Sequence, residues 1–325
     1  MPTSAPPVRI LVAGLGAFGR EHLGRLTTRP DVAVVGVADT NLTTLEVIRS
    51  HYGTMKCWCD PLLLIDETEA DAIIIATPAA SHVAMCRHAL SRNLCVLLEK
   101  PVAPSAAAMA PLLAVAKASK GFVLPGHVLR FCNDHARLAG MVHSGRIGEV
   151  VYVNSRRYRD DSHAVRYADT DPVLMTMIHD IDLAQWVTGS NFRSVLARRS
   201  GSSLFRSITA ASATTMTGAI CDLRTAWTFT DGELPPDQLE VVGDRGSVEL
   251  TAGHGLSVYA GGSRTDHLAM AADDPLRNEH DHFLACVRDR SCTPALNLSQ
   301  AFAGLQLADA AIESQRLNRE VFLSP

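Results

Sequence analysis

A chain of 325 residues exceeds the ~100–200 usual for one domain, so two domains or one large α/β unit are expected. Hydrophobic residues at 47% and charged residues at 20% exclude a disordered chain and a coiled coil. Thirty Lys+Arg against thirty-four Asp+Glu give a net charge of −4, so no overall positive field recruits nucleic acid or an anionic membrane, and a small molecule is the expected partner.

Met1–Pro7 carries no apolar signal core, and no window holds the ~18 uninterrupted apolar residues of a membrane span, so a cytoplasmic protein is expected. The first 126 residues then alternate short apolar runs with amphipathic stretches. Strands are expected at Val8–Ala13, Val32–Ala38, Ala72–Ala76, Leu94–Leu98 and Phe122–Pro125. Between them lie helices at Phe18–Thr28, Thr43–Tyr52 (ended by Gly53), one starting at Asp60-Pro61, Ser81–Arg92 and Ser105–Ser119. Strands apolar on both faces that alternate with helices predict a parallel sheet covered on both sides, a first domain over residues 1–126. Eight cysteines scattered through the whole chain point to a reduced compartment, and Cys57-Trp-Cys59 lacks the second pair that a zinc site needs, so no metal is expected there.

After about residue 148 longer strands separated by turns take over: Glu149–Tyr158, Ser194–Arg199, Ser207–Thr217, Ile220–Thr230, Gln238–Val242, Ser247–Thr251 and Gly255–Tyr259. Turn signals at Asp231-Gly232 and Asp244-Arg-Gly246 separate some of them. One helix runs from the cap Asp171 through Pro172 to Gly189, and the chain closes with helices Arg277–Arg288 and Gln300–Gln315. Residues 127–325 are therefore read as an α+β domain with a mostly antiparallel sheet.

The chemistry gathers first at Gly14-Leu-Gly16-Ala17-Phe18-Gly19, a G-x-G-x-x-G loop. It follows a strand and opens a helix, which places bare N–H groups and a positive helix end where a pyrophosphate can sit. Asp39, closing the second strand with Thr40 beside it, stands where a carboxylate accepts hydrogen bonds from the adenosine ribose hydroxyls. It would repel a 2′-phosphate, so NAD is favoured over NADP. Three further segments end strands on the same edge: Ala76-Thr77-Pro78 with His82, Glu99-Lys100-Pro101, and Gly126-His-Val-Leu-Arg-Phe131. Lys100 is one of only four lysines and follows a buried strand, so its ammonium is expected to emerge beside the cofactor, where an apolar wall and an oxidised nicotinamide disfavour its charged form.

With these segments, Gly145-Arg-Ile-Gly-Glu149 and Ile178-His179-Asp180-Ile181-Asp182, the chain resembles the glucose–fructose oxidoreductase, inositol dehydrogenase and rhizopine-catabolism (Gfo/Idh/MocA) family of sugar and cyclitol dehydrogenases over nearly its whole length. The resemblance implies a Rossmann domain followed by an open-faced sheet domain, with the nicotinamide at their junction and homodimers or homotetramers built through the sheet. It implies an NAD(P)-dependent oxidoreductase that passes hydride between nicotinamide and a secondary alcohol of a sugar, amino sugar or cyclitol. Lys100 and His179 would be catalytic, and Lys100, Arg157, Tyr158, His179 and Asp182 would hold the substrate. Cofactor contacts would come from Gly14, Gly16, Ala17, Phe18, Gly19, Asp39, Thr40, Ala76, Thr77, Pro78, His82, Glu99 and Lys100.

The sequence departs from the family at Met175, four residues before His179, where the family carries an Asp. A thioether cannot orient an imidazole as a carboxylate does. Asp182 or Asp180, or a carboxylate at Asp160, Asp161 or Asp169, would have to supply that group, or Lys100 would act alone, or the alcohol oxidation is lost. Two other readings compete: a glycoside hydrolase that oxidises its sugar transiently, and a cofactor-binding sensor or partner subunit without turnover. The polar stretch Arg156–His163 with Arg166 and Tyr167 is read as a loop rich in donors for a polyhydroxylated or carboxylated substrate. Asn278-Glu-His-Asp-His-Phe283 concentrates two histidines and two acids, yet the family's corresponding helix is structural with its aromatic packed inward, so no metal is expected.

Overall fold

The computed structural model describes residues 6–203, 206–229, 233–268 and 273–323. The turn expected at Asp231-Gly232, and the strand end at Thr230, lie outside them. The first part runs β1 (Val8–Ala13), α1 (Ala17–Thr27), β2 (Val32–Ala38), α2 (Leu42–Tyr52), β3 (Cys57–Trp58), α3 (Pro61–Glu67), β4 (Ala72–Ile75), α4 (Ala79–Ser91), β5 (Cys95–Glu99), α5 (Ala106–Ala118) and β6 (Val123–Gly126). All its strand pairs are parallel, in the order β3-β2-β1-β4-β5-β6, which puts the topological switch point between β1 and β4. β4 and β5 are buried along their whole length, as strands covered on both faces must be. Helix starts follow local chemistry: Asn41, Asp60 and Ser105 accept N–H bonds from Thr44, Leu62 and Ala108.

A 3-10 turn, Val128–Phe131, leads into α6 (Asn133–His143), β7 (Val150–Asp160) and α7 (Asp161–Arg166). A π-helical turn, Val173–Met177, precedes α8 (Ile178–Thr188). Then come β8 (Phe192–Ser203), β9 (Arg206–Thr215), β10 (Ile220–Phe229), β11 (Gln238–Gly243), β12 (Gly246–Thr251), β13 (Gly255–Ala260), β14 (Ser263–Leu268), α9 (Pro275–Arg288), α10 (Leu298–Leu317) and β15 (Val321–Phe322). β7 to β15 form one sheet in the order β14-β13-β12-β11-β7-β10-β9-β8-β15. Every pair in it is antiparallel except β7 with β10, where Ile220 aligns with Tyr152. Along β9 burial alternates strictly, the mark of a sheet covered on one face.

Several expectations change here. No element was expected between Phe131 and Glu149, yet the 3-10 turn after Gly126 leads into α6, whose buried His135, Leu138, Ala139 and Val142 recur at helical spacing. The polar stretch 156–167 is no loop: it is the end of β7 and then α7, capped by Asp160 through the His163 N–H. The single helix expected from Asp171 to Gly189 contains the π turn, although Asp171 does cap it, accepting from the Val173 N–H at 2.9 Å.

The residues cluster into two compact units, one of residues up to His127 together with Leu276–Ala301, the other of Val128–Pro275 with the chain from Phe302 on. The expected division placed everything after residue 126 in a second domain. α9 instead returns to the first unit, because Phe283 is fully buried against Phe122 with ring centroids 5.7 Å apart. Arg29 pairs with Asp281, and Arg288 with Asp31 at 2.7 Å.

Candidate active site

The glycine loop is built by close approach. A Cβ on Gly19 would stand 1.9 Å from the Gly14 carbonyl oxygen, and one on Gly14, whose φ is +86°, would stand 2.5 Å from the Ala76 oxygen. Only glycines let β1, the start of α1 and the Ala76 segment touch. Gly16 differs: a Cβ there meets nothing within 4 Å, so the loop leaves open space at the point where α1 begins. Gly16, Ala17 and Phe18 are exposed, Gly16 caps α1 without a side-chain bond, and α1 has no acid in its first turn. This cradle fits a pyrophosphate: free amide donors, a positive helix end and room.

Asp39 is half-buried at the end of β2 and points back at the loop, one oxygen accepting from the Leu15 N–H at 2.6 Å and the other from the Asn41 N–H at 2.8 Å. Each oxygen keeps a lone pair for a ribose hydroxyl. Thr40 beside it is exposed, and Ala76, Thr77 and Pro78 line the end of β4.

Two residues expected to touch the cofactor are turned inward. His82 is 1% exposed, and its nitrogens lie 2.6 Å from the Thr77 oxygen and 3.0 Å from the Pro101 oxygen. Burial lowers its pKa, and the two carbonyls offset part of that. Its part is to join the Thr77 and Pro101 segments. Glu99 is buried as well, accepting from the Lys100 N–H at 3.2 Å and from His22 Nε2 at 3.0 Å.

His22 opens a chain that the sequence reading missed. Its Nδ1 lies 2.7 Å from Nε2 of His280 on α9, and both rings are essentially unexposed. With Glu99 as acceptor, His22 Nε2–H donates to it and His280 Nε2–H donates to His22 Nδ1. Burial, then the neighbouring His22, hold the His280 pKa down to about 2, so its ring stays neutral. Glu279 beside it has both carboxyl oxygens buried without a hydrogen-bond partner among the described residues, and burial, then Glu99, raise its pKa well above the usual range. The signal was present: Gly19, His22, Leu23 and Leu26 share the buried stripe of α1.

In the second unit His179 stands half-buried in the first turn of α8, directly after the π turn that carries Met175. Helices with such turns often carry functional residues. Asp180, weighed as an orienting group, is fully buried and spent on Ser155 (2.5 Å) and Arg157 (3.1 Å). Arg157 itself, expected among substrate ligands, is 5% exposed and held between Asp180 and Asp237, so its guanidinium is a structural cation. Tyr158, the next residue on β7, points to the opposite face, since strand side chains alternate. Asp182 forks onto Arg130 at 2.8 to 3.2 Å, and Arg130 lies over the Trp186 ring. Asp160 caps α7 and accepts from Ser162, Asp161 pairs with Arg206 at 3.5 Å, and Asp169 is exposed. Lys100 is half-buried at the end of β5, before a cis bond to Pro101.

A parallel six-stranded sheet with a glycine cradle at its switch point, followed by a mostly antiparallel nine-stranded sheet, defines a nucleotide-binding oxidoreductase architecture. The chain belongs to the Gfo/Idh/MocA oxidoreductase family: residues 8–127 match its NAD-binding Rossmann fold and residues 139–323 its C-terminal alpha/beta domain. It is similar to inositol 2-dehydrogenase 1 of Saccharopolyspora erythraea, 26% identical over 326 residues that cover 95% of this chain and 94% of that one. It is also similar to inositol 2-dehydrogenase 4 of the same organism, 26% identical over 59% of this chain and 57% of that relative, so this match spans little more than half the relative's length. Its fold is shared by scyllo-inositol dehydrogenase from Lactobacillus casei with bound NAD(H) and scyllo-inositol, at a TM-score of 0.85 and 17% identity, covering 97% of this chain and 99% of that one. No helix among the described residues is long and apolar enough to cross a membrane.

Proposed function

We propose that this protein is an NAD-dependent dehydrogenase that oxidises a secondary alcohol of a cyclitol or a related sugar. The observation that carries the reading is the cradle of Gly14, Gly16 and Gly19 with Asp39 folded back onto it, within a chain whose whole-length relative is an inositol 2-dehydrogenase. NAD is favoured over NADP because the Asp39 carboxylate would face and repel a 2′-phosphate. When bound, the nicotinamide supplies the hydride acceptor. Lys100 binds the reacting hydroxyl, and His179 takes part in removing its proton. Tyr158 remains a substrate-binding candidate, whereas Arg157 and Asp180 are committed to each other. The open face of the large sheet, with Leu196, Ile208 and Ile220 exposed, supports a homodimer or homotetramer.

The test is a screen of inositols, sugars and sugar acids for NADH absorbance, with NAD and NADP side by side. Lys100→Ala should lower turnover by about a hundredfold or more while NAD affinity stays within about threefold. Loss of NAD binding with turnover retained would sink the assignment. A second reading, a cofactor-binding partner without turnover, is favoured by Met175 alone. Oxidation of any polyol by the wild-type protein excludes it, and Met175→Asp creating activity in an inert wild type supports it.

A further inference from the structure

The motif Asn278–Phe283 divides between two sides of α9. Glu279, His280 and Phe283 turn into the first unit, whereas His282 turns toward the loop that follows the helix. Cys286 stands four residues on, so helix geometry stacks its thiol beside that imidazole, Sγ lying 3.6 Å from Nε2. Past Arg288 the chain doubles back. The Cys292 N–H donates to the Asp289 carbonyl at 3.0 Å, and the Ser291 N–H and hydroxyl donate to the Asp289 carboxylate at 2.9 and 2.7 Å. Arg290 pins this turn to the unit through the Cys95 sulfur and the Phe122 ring. The result places the Cys292 sulfur 3.0 Å from that of Cys286, with the three donor atoms of His282, Cys286 and Cys292 within 4.8 Å of one another.

We propose that His282, Cys286 and Cys292 form a zinc-binding site that ties the end of α9 to its following loop, with a water completing the tetrahedron. Zn–N of about 2.0 Å and Zn–S of about 2.3 Å require an N···S edge near 3.6 Å and an S···S edge near 3.8 Å. The His282–Cys286 edge is met, the S···S edge falls short by under an ångström and lies well beyond the ~2.05 Å of a disulfide, and the second N···S edge, His282 to Cys292, lies within 4.8 Å, so a small rotation of the loop thiol completes the triangle. Two thiols and an imidazole select zinc over magnesium or calcium. The Ala295 N–H donates to His282 Nε2 at 2.9 Å, which puts the ring proton on Nδ1 and the lone pair on Nε2, and a metal that takes this lone pair displaces the Ala295 N–H. Each thiol releases its proton to solvent as its Zn–S bond forms. Cys286 is buried while His282 and Cys292 are half-buried, which leaves the cation a path in.

The full chain, kept reduced, is dialysed against zinc chloride and its metal content measured, with affinity from competition against a chromophoric chelator. The expected result is about one zinc per chain, with two thiols shielded from a thiol reagent when zinc is present. Cys292→Ser, in the loop and tolerant of a hydroxyl, should weaken zinc by about tenfold or more, as should His282→Gln, each with the circular dichroism of the wild type. Cys57→Ser combined with Cys59→Ser should leave zinc binding intact. The proposal is overturned if the reduced protein holds no zinc at micromolar levels, if Cys292→Ser binds as tightly as wild type, or if binding follows Cys57 and Cys59.

Discussion

Gly16→Ala and Gly19→Ala separate what the glycine loop does for the ligand from what it does for the fold. At Gly19 the new methyl would stand 1.9 Å from a backbone oxygen and 2.8 Å from its carbon, so α1 must move away from β1 by well over an ångström. Overpacking against backbone costs about 3 kcal/mol, which lowers Tm by roughly 6–12 °C for a domain of this size. At Gly16 the backbone sits at φ −60° and ψ −170°, open to any residue, with nothing within 4 Å of a Cβ. A small gain from a stiffer unfolded chain opposes a small loss at the helix cap, and stability should change by less than ~1 kcal/mol. The same methyl enters the space proposed for the pyrophosphate, and NAD affinity should fall about ten- to hundredfold. Differential scanning calorimetry and NAD titration calorimetry on both variants read the two effects apart. Wild-type NAD affinity in Gly16→Ala, at unchanged Tm, would refute the placement of the phosphates, and a wild-type Tm in Gly19→Ala would refute the packing argument.

Acid should destabilise the fold from mild pH downward. Burial holds His280 and His135 at about 2 and about 3, whereas in the unfolded chain each titrates at its ordinary value of ~6.5. The unfolded chain therefore takes up protons that the fold refuses, and stability present above pH ~6.5 declines below it, by up to ~1.4 kcal/mol per pH unit for each ring. Urea unfolding between neutral and mildly acidic pH measures the slope; His280→Gln should flatten it, and an unchanged slope would count against the buried neutral ring. Phe283→Ala should cost about 3–5 kcal/mol, since the ring is fully buried on Phe122. The loss should fall on the unfolding transition of the Rossmann unit, and a cost under ~1 kcal/mol would contradict the assignment of α9 to it.

Local chemistry wrote much of this protein into its sequence. Alternating apolar runs, the caps at Asp60 and Asp171, and the G-x-G-x-x-G spacing specify strands, helix starts and the cradle through interactions a few residues apart, so the Rossmann half and the position of Asp39 are readable along the chain. Tertiary structure decided what depends on partners distant in sequence. Whether Arg157 is a ligand or a buried cation rests on Asp180 and Asp237, 23 and 80 residues away. Whether His280 is a metal ligand or a neutral link in a chain to Glu99 rests on His22, 258 residues away. Cys292 meets Cys286 only because a turn at Asp289 reverses the chain. Residue type sets what a side chain is able to do, but burial and the one group within hydrogen-bond reach set which of those things it does.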